Sequence, residues 1–186
     1  FDFLREKILP NIKPEWGRIS YQIWCAGCSS GEECYTLAML LQDYKDQGGW
    51  LPSFSIVGTD ISEQALAVAQ KGRYPVRELE NIPALWQQKY LSMDEAGTSF
   101  DIGRAIREKV RFQRMNLLKP SVGLGQYDLV LCRNVMIYFN EESRKKLIEK
   151  LYRALKPGGY LFVGHTELLP RNHELFEYVC PAVYRK

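Results

Sequence analysis

The chain is expected to fold as an α/β protein around a mostly parallel sheet, and three features of the sequence carry that expectation. Short apolar runs at 21–25, 53–60, 110–115 and 127–132 alternate with helical periodicity, an order that builds strand–helix–strand units. The first run leads into a Gly/Ser turn and the second ends on Asp60, the positions at which Rossmann-like sheets meet ligands. Two apolar segments with only a short link between them close the chain, which predicts an antiparallel C-terminal strand.

Taken in order, YQIWC at 21–25 is the first strand, A-G-C-S-S-G at 26–31 a loop, and EECYTLAMLLQDYKD a helix. The strand SFSIVGTD at 53–60 follows, then a helix in which Ser62 is the expected N-cap and Gly72 the C-terminal stop. VRFQRM at 110–115 and YDLVLC at 127–132 are the third and fourth strands. NEESRKKLIEKLYRALKPGG reads as a helix closed by Pro and Gly, and YLFVGHTE and EYVCPAVYRK as the two last strands. Residues 73–109 are longer than an ordinary helix-to-strand connection, so a small inserted subdomain is expected there, with a helix at 83–92 and a strand or hairpin from FDIGRAIREKV. One main domain spanning 1–186 is the simplest division.

With 46% hydrophobic and 25% charged residues, the 186-residue chain has globular composition and can bury one substantial core. Its 25 basic and 22 acidic residues are interleaved and leave a formal charge of +3, too mild for a nucleic-acid partner. No run approaches the roughly 20 apolar residues of a membrane span, and FDFLREKILP carries no small-residue cleavage site, so a cytoplasmic protein without membrane insertion is expected. The five cysteines lie mostly in apolar segments and read as buried reduced thiols. Cys25-x-x-Cys28 with Cys34 invites a zinc reading, but a tetrahedral site needs a fourth ligand and both histidines, His165 and His173, are distant in sequence; no metal is expected.

In open α/β sheets ligands sit beyond the carboxyl ends of the strands, so the residues to inspect are Ala26 to Glu33, Asp60, Asn116-Leu117, Arg133-Asn134 and Gly164-His165. Gly27 and Gly31 permit a tight turn and a close approach of ligand to backbone. Glu32 and Glu33 follow at once, with no lysine after the last glycine as a phosphate loop requires. Two carboxylates repel a pyrophosphate and suit a cation; S-adenosylmethionine, with a sulfonium and an α-ammonium, fits, although a glutamate in a first helical turn also favours the helix dipole. Asp60 either accepts hydrogen bonds from ribose hydroxyls or caps the helix near Ser62. Asn116 suits the edge of an adenine, with Leu117 against its face, or is an ordinary turn residue.

WCAGCSSGEECYTLAMLL, GTDIS, MNLL, CRNVMIYF, LKPGGYLFVGHTE and the closing VYRK together resemble the CheR family of chemotaxis-receptor glutamate O-methyltransferases, in order from about residue 21 to residue 186. The resemblance implies a class I methyltransferase sheet, with S-adenosylmethionine as cofactor and S-adenosylhomocysteine as product. It implies methylation of glutamate side chains on the cytoplasmic domain of chemoreceptors (methyl-accepting chemotaxis proteins). By likeness, Ala26, Gly27, Glu33, Asp60, Asn116, Leu117, Arg133 and Asn134 line the cofactor pocket, Arg133 and Tyr138 face the methyl-transfer centre, and residues 73–109 correspond to the family's inserted β-subdomain. The family's amino-terminal helical domain and its Thr-x-Phe-Phe-Arg type segment have no counterpart before Tyr21, and Cys25, Cys28 and Cys34 stand where small residues or proline are commoner.

A glutamate side chain, with a pKa near 4.3, is already ionised at neutral pH, so no general base is needed; alignment and exclusion of water are. Arg133 is placed to hold the substrate carboxylate and Tyr138 to fix the attacking oxygen; the alternatives are an ion pair from Arg133 to Glu33 or Asp60 and simple packing of Tyr138 on the sheet. His165 is read as shaping the site. A non-catalytic cofactor-sensing module and a methyltransferase for another substrate are the competing functions.

Overall fold

A computed structural model of the chain describes residues 1–13, 20–119 and 125–186. A seven-stranded sheet is built from β1 (Ser20–Ala26), β2 (Ser53–Asp60), β6 (Val110–Arg114), β7 (Tyr127–Cys132), β8 (Leu155–Val163), β9 (Glu177–Cys180) and β10 (Val183–Arg185). Its order is β6-β2-β1-β7-β8-β10-β9. The first five of these are parallel, while β10 runs antiparallel to both β8 and β9. The chain therefore builds outward from β1 to β6, then returns to lay β7 on the other side of β1. The strand order reverses between β1 and β7, the place at the carboxyl edge where open α/β sheets form their ligand crevice.

Successive strand residues face opposite sides, and here both sides are covered. Ile23 and Cys25 of β1 and Leu129 and Leu131 of β7 point into one core with α1 (Glu32–Asp46). Trp24, Ala26, Val130 and Cys132 point into the other, against Leu147, Ile148 and Leu151 of α5 (Glu141–Ala154). This double burial explains why β1 and β7 read as near-continuous apolar runs instead of alternating patterns. The fully buried Trp24 donates its indole N–H to Thr59 Oγ1 at 2.9 Å, satisfying both polar atoms between β1 and β2. Leu4, Ile8 and Leu9, in a helical segment at the amino end, bury against the α1 side.

The helix α2 (Glu63–Lys71) begins and ends as its sequence predicts: Ser62 Oγ accepts from Ala65 N–H, and Gly72 closes it at φ +61°. Residues 73–109 form a separate three-stranded sheet, β3 (Arg73–Pro75), β4 (Leu91–Met93) and β5 (Ser99–Ile102), in the order β3-β5-β4. The helix expected over 83–92 is α3 (Ala84–Tyr90), because its last residues join β4. The stretch expected to be a strand or hairpin divides at Gly103 into β5 and the short α4 (Arg104–Arg107), whose one buried residue, Ile106, needs a helical turn to reach the core.

Two boundaries at the carboxyl end correct the sequence reading. The helix closed by Pro and Gly ends at Ala154, but β8, expected from Tyr160, already begins at Leu155; Pro157 has no N–H to continue a helix, and Gly158 sits at φ +76° in an irregular stretch of the ladder. The segment 177–186 is a hairpin and not one strand: Pro181 and Ala182, at φ +66°, turn the chain between β9 and β10. The Tyr184 hydroxyl, fully buried, then donates to Leu169 C=O at 2.9 Å and accepts from Leu169 N–H at 2.8 Å, tying the β8–β9 connection to the sheet.

Candidate functional site

Every residue singled out for the cofactor lies at the carboxyl edge. The β1–α1 loop turns through Gly27 at φ +79° and Gly31 at φ +92°, conformations that L side chains rarely adopt. A Cβ on Gly27 would also collide with Val135 Cγ2, so the loop leaving β1 packs directly on the loop leaving β7. Thr59 C=O accepts the N–H groups of Gly27 at 2.8 Å and Cys28 at 2.9 Å. Asp60 continues this brace: one carboxylate oxygen accepts Ser29 N–H at 2.8 Å and the other Ser62 N–H at 2.9 Å. The Asp60 carboxylate thus holds Ser29 in its left-handed conformation, φ +48°, and orients the entry to α2, while Ser62 performs the capping.

Glu33 and Arg133, 100 residues apart in sequence, meet across the crevice with Arg133 Nη1 donating to Glu33 Oε2 at 2.7 Å. Their side chains retain 25% and 35% of their exposure, so the pair is half-open to the crevice. Burial pushes the Glu33 carboxyl above the ordinary carboxylate range, against the opposing pull of Arg133. The ion pair weighed from sequence for Arg133 is therefore present. It joins one carboxylate and one guanidinium, so either can be drawn off by a ligand of complementary charge.

Asn116 lies two residues beyond β6, its Oδ1 accepting Leu118 N–H at 2.9 Å. Leu117 is 8% exposed and belongs to the α5-side core, and its carbonyl, with that of Lys119, accepts from Lys150 Nζ at 2.9 and 2.8 Å. Asn134 is exposed at φ +58°. Tyr138 is 80% exposed on a 3₁₀ turn, Met136–Tyr138, and does not pack on the sheet.

Two residues at the site escaped the sequence reading. Glu167, fully buried, accepts backbone N–H bonds from Asn134 at 2.6 Å and Gly164 at 3.0 Å on one oxygen and from Ile137 at 3.2 Å on the other. An acid between an apolar strand and Leu168-Leu169 was the available signal. Tyr74, on β3 and 4% exposed, donates its hydroxyl to Ser30 C=O at 2.7 Å, so the inserted sheet grips the β1–α1 loop. No local pattern announces that contact.

The cysteines do not gather a metal. Hydrogen bonding with Cys34, then burial, pushes the Cys28 thiol far up, and hydrogen bonding with Cys25 leads the same effect at Cys34. They are neutral packing groups beneath the loop, and among the described residues no cluster of His, Cys, Asp or Glu is placed to hold a metal ion. His165 is exposed at the mouth, while His173 Nδ1 accepts Leu175 N–H at 3.1 Å. Among the described residues no helix is long and apolar enough to cross a membrane.

A parallel sheet that reverses at β1 and β7, ends in an antiparallel strand, and carries acidic groups where a dinucleotide site needs a phosphate cradle defines an S-adenosylmethionine-binding protein of the class I methyltransferase fold. Comparison with known proteins agrees. Residues 1–184 match the model of the CheR methyltransferase SAM-binding domain, and the chain belongs to that family. The match begins at residue 1, ahead of Tyr21, where the motifs start. A chemotaxis protein methyltransferase of Borreliella burgdorferi is 38% identical over 190 residues, covering 100% of this chain and 66% of the relative. Chemotaxis protein methyltransferase 1 of Pseudomonas aeruginosa is 33% identical over 191 residues, covering 100% of this chain and 69% of the relative. The chain thus spans about two thirds of the length of these relatives. Among solved structures, PKMT2 from Rickettsia typhi in complex with AdoHcy superposes with a TM-score of 0.50 at 17% identity, over 83% of this chain and 22% of that one, a likeness of fold.

Proposed function

We propose that this chain methylates glutamate side chains on the cytoplasmic domain of chemoreceptors, giving glutamate methyl esters in the cytoplasm as part of sensory adaptation. The observation that carries the reading is the Glu33–Arg133 pair at the reversal point of the sheet, which presents a carboxylate and a guanidinium side by side in one crevice. S-adenosylmethionine, when bound, supplies an electrophilic methyl group on a sulfonium. The residues present suit it: Glu33 receives its α-ammonium, Asp60 keeps lone pairs for ribose hydroxyls beyond its two backbone bonds, and Gly27 leaves the loop backbone open. Asn116 takes the adenine edge, Leu117 backs its ring, and Ala26 and Asn134 complete the walls.

Arg133 then orients the incoming glutamate carboxylate through N–H donors of fixed geometry. Tyr138, exposed at the mouth, offers its hydroxyl to the second carboxylate oxygen. Because the substrate is ionised at neutral pH, no side chain has to remove a proton. Alignment with exclusion of water is the rate-enhancing contribution, worth roughly 7–11 kcal/mol in well-oriented systems. The chemotaxis methyltransferases it resembles support the substrate class. The test is methyl-label transfer from S-adenosylmethionine to a receptor cytoplasmic fragment, with base-labile methyl ester as the expected product. Label on a receptor fragment lacking glutamates, or none on the native fragment, refutes the reading.

A further inference from the structure

We infer that Glu167 is a positioning residue that sets the conformation of the loop 133–138 and through it the placement of Arg133. The inference rests on reading that loop as the methyl-transfer centre. Glu167 is fully buried, and among the described residues no basic side chain pairs with it. Its two oxygens instead take three backbone N–H groups: Asn134 at 2.6 Å, Gly164 at 3.0 Å and Ile137 at 3.2 Å. An uncompensated carboxylate in a core is costly, so it persists only where its hydrogen bonds satisfy it and something depends on them. Here two of the three donors lie on one short loop, on either side of Val135, which packs on Gly27 of the cofactor loop. One of these donors, Asn134, is at φ +58°, in the left-handed region that asparagine adopts more readily than other side chains, and the carboxylate receives its N–H there.

The chemistry of the donors explains why an acid stands there. Three converging N–H groups need an acceptor with no hydrogens of its own, and a carboxylate is the side chain that offers two such oxygens. Glutamine presents one oxygen and turns an NH2 group toward the remaining donors; aspartate is one carbon shorter. Gly164 belongs to the same device, since a Cβ there would strike Glu167 Oε2 and would lie 2.9 Å from Asn134 Oδ1. The carboxylate thus fixes the turn between Arg133, which reaches to Glu33, and Tyr138, which projects outward.

The test is E167Q, read in two independent ways. Amide hydrogen exchange at Asn134 and Ile137 is expected to quicken at least tenfold, with amides of β7 and α5 unchanged; unchanged exchange at those two positions overturns the inference. In turnover, E167Q is expected to lower kcat about 100-fold in the wild-type background and less than threefold in the Arg133→Ala background, because a positioning residue has little left to position once its target is gone. Equal losses in both backgrounds indicate a merely structural role and overturn it. G164A, which displaces the same carboxylate, is expected to reproduce the exchange change and serves if E167Q does not fold; a G164A chain with native exchange at Asn134 likewise overturns it. Absence of methyl transfer by the wild type refutes the glutamate reading of the site, while the exchange measurement still decides the role of Glu167.

Discussion

Replacing Glu33 with Gln removes the carboxylate that pairs with Arg133, and the effect on cofactor affinity follows from its charge and exposure. A unit ion pair in contact is worth about 1 kcal/mol in water and about 4 kcal/mol at an effective dielectric of 20. The Glu33 side chain keeps 25% of its exposure, so its surroundings lie between these limits, near 2 kcal/mol. That corresponds to a loss of roughly 30-fold in affinity for S-adenosylmethionine. The pH dependence sharpens the test. Burial holds the free Glu33 carboxyl above its ordinary value, and a cationic ligand favours the ionised form, so binding lowers the pKa and releases a proton in the window between the bound and free values. Affinity of the wild type should therefore rise with pH through the raised pKa of Glu33 and level off above it, whereas Glu33→Gln should be flat over the same range. Isothermal calorimetry across pH 4–8, roughly the span around the carboxylate range, measures both. A Gln variant that binds as tightly as the wild type, or that keeps its pH dependence, refutes the assignment of Glu33 to the ammonium.

Asp60→Ala and Arg133→Ala should divide binding from turnover. The first loses two charge-assisted bonds that shape the cofactor loop, about 1.5–3 kcal/mol each, and should abolish measurable binding; the second should spare binding more than the first does while removing most methyl transfer, and equal binding losses in calorimetry count against both roles. Gly27→Ala forces a side chain into φ +79° at a cost of about 1–2 kcal/mol and pushes on Val135, so the urea midpoint should fall and cofactor affinity with it; an unchanged midpoint contradicts the structure of the loop. Ser62→Ala removes the cap of α2 and should lower stability by about 1 kcal/mol in the same titration, with little effect on turnover.

Much of this molecule is written locally. Runs such as 127–132, buried along their whole length, announce parallel strands because both faces of the sheet are covered, and the caps of α2 follow from Ser62 and Gly72 alone. The placement of Gly27, Glu33, Asp60, Asn116 and Arg133 at the carboxyl edge of the sheet was legible because glycine and polar residues after an apolar run mark where a strand ends. The expected strand from FDIGRAIREKV is β5, but α4 after Gly103 was not foreseen, and two readings failed where a turn or an early strand start lay inside an apolar segment: the start of β8 at Leu155 and the closing hairpin at Pro181 and Ala182. The tertiary structure alone decided which side chains meet. Glu33 finds Arg133 because β7 returns to lie beside β1; Tyr74 reaches Ser30 because the inserted sheet folds back on the cofactor loop. Glu167 is buried under Asn134 because the chain leaving β8 turns back at Gly164. Local periodicity reports which face of an element is covered, but strand order, which sets these long-range contacts, is a property of the packed sheet as a whole.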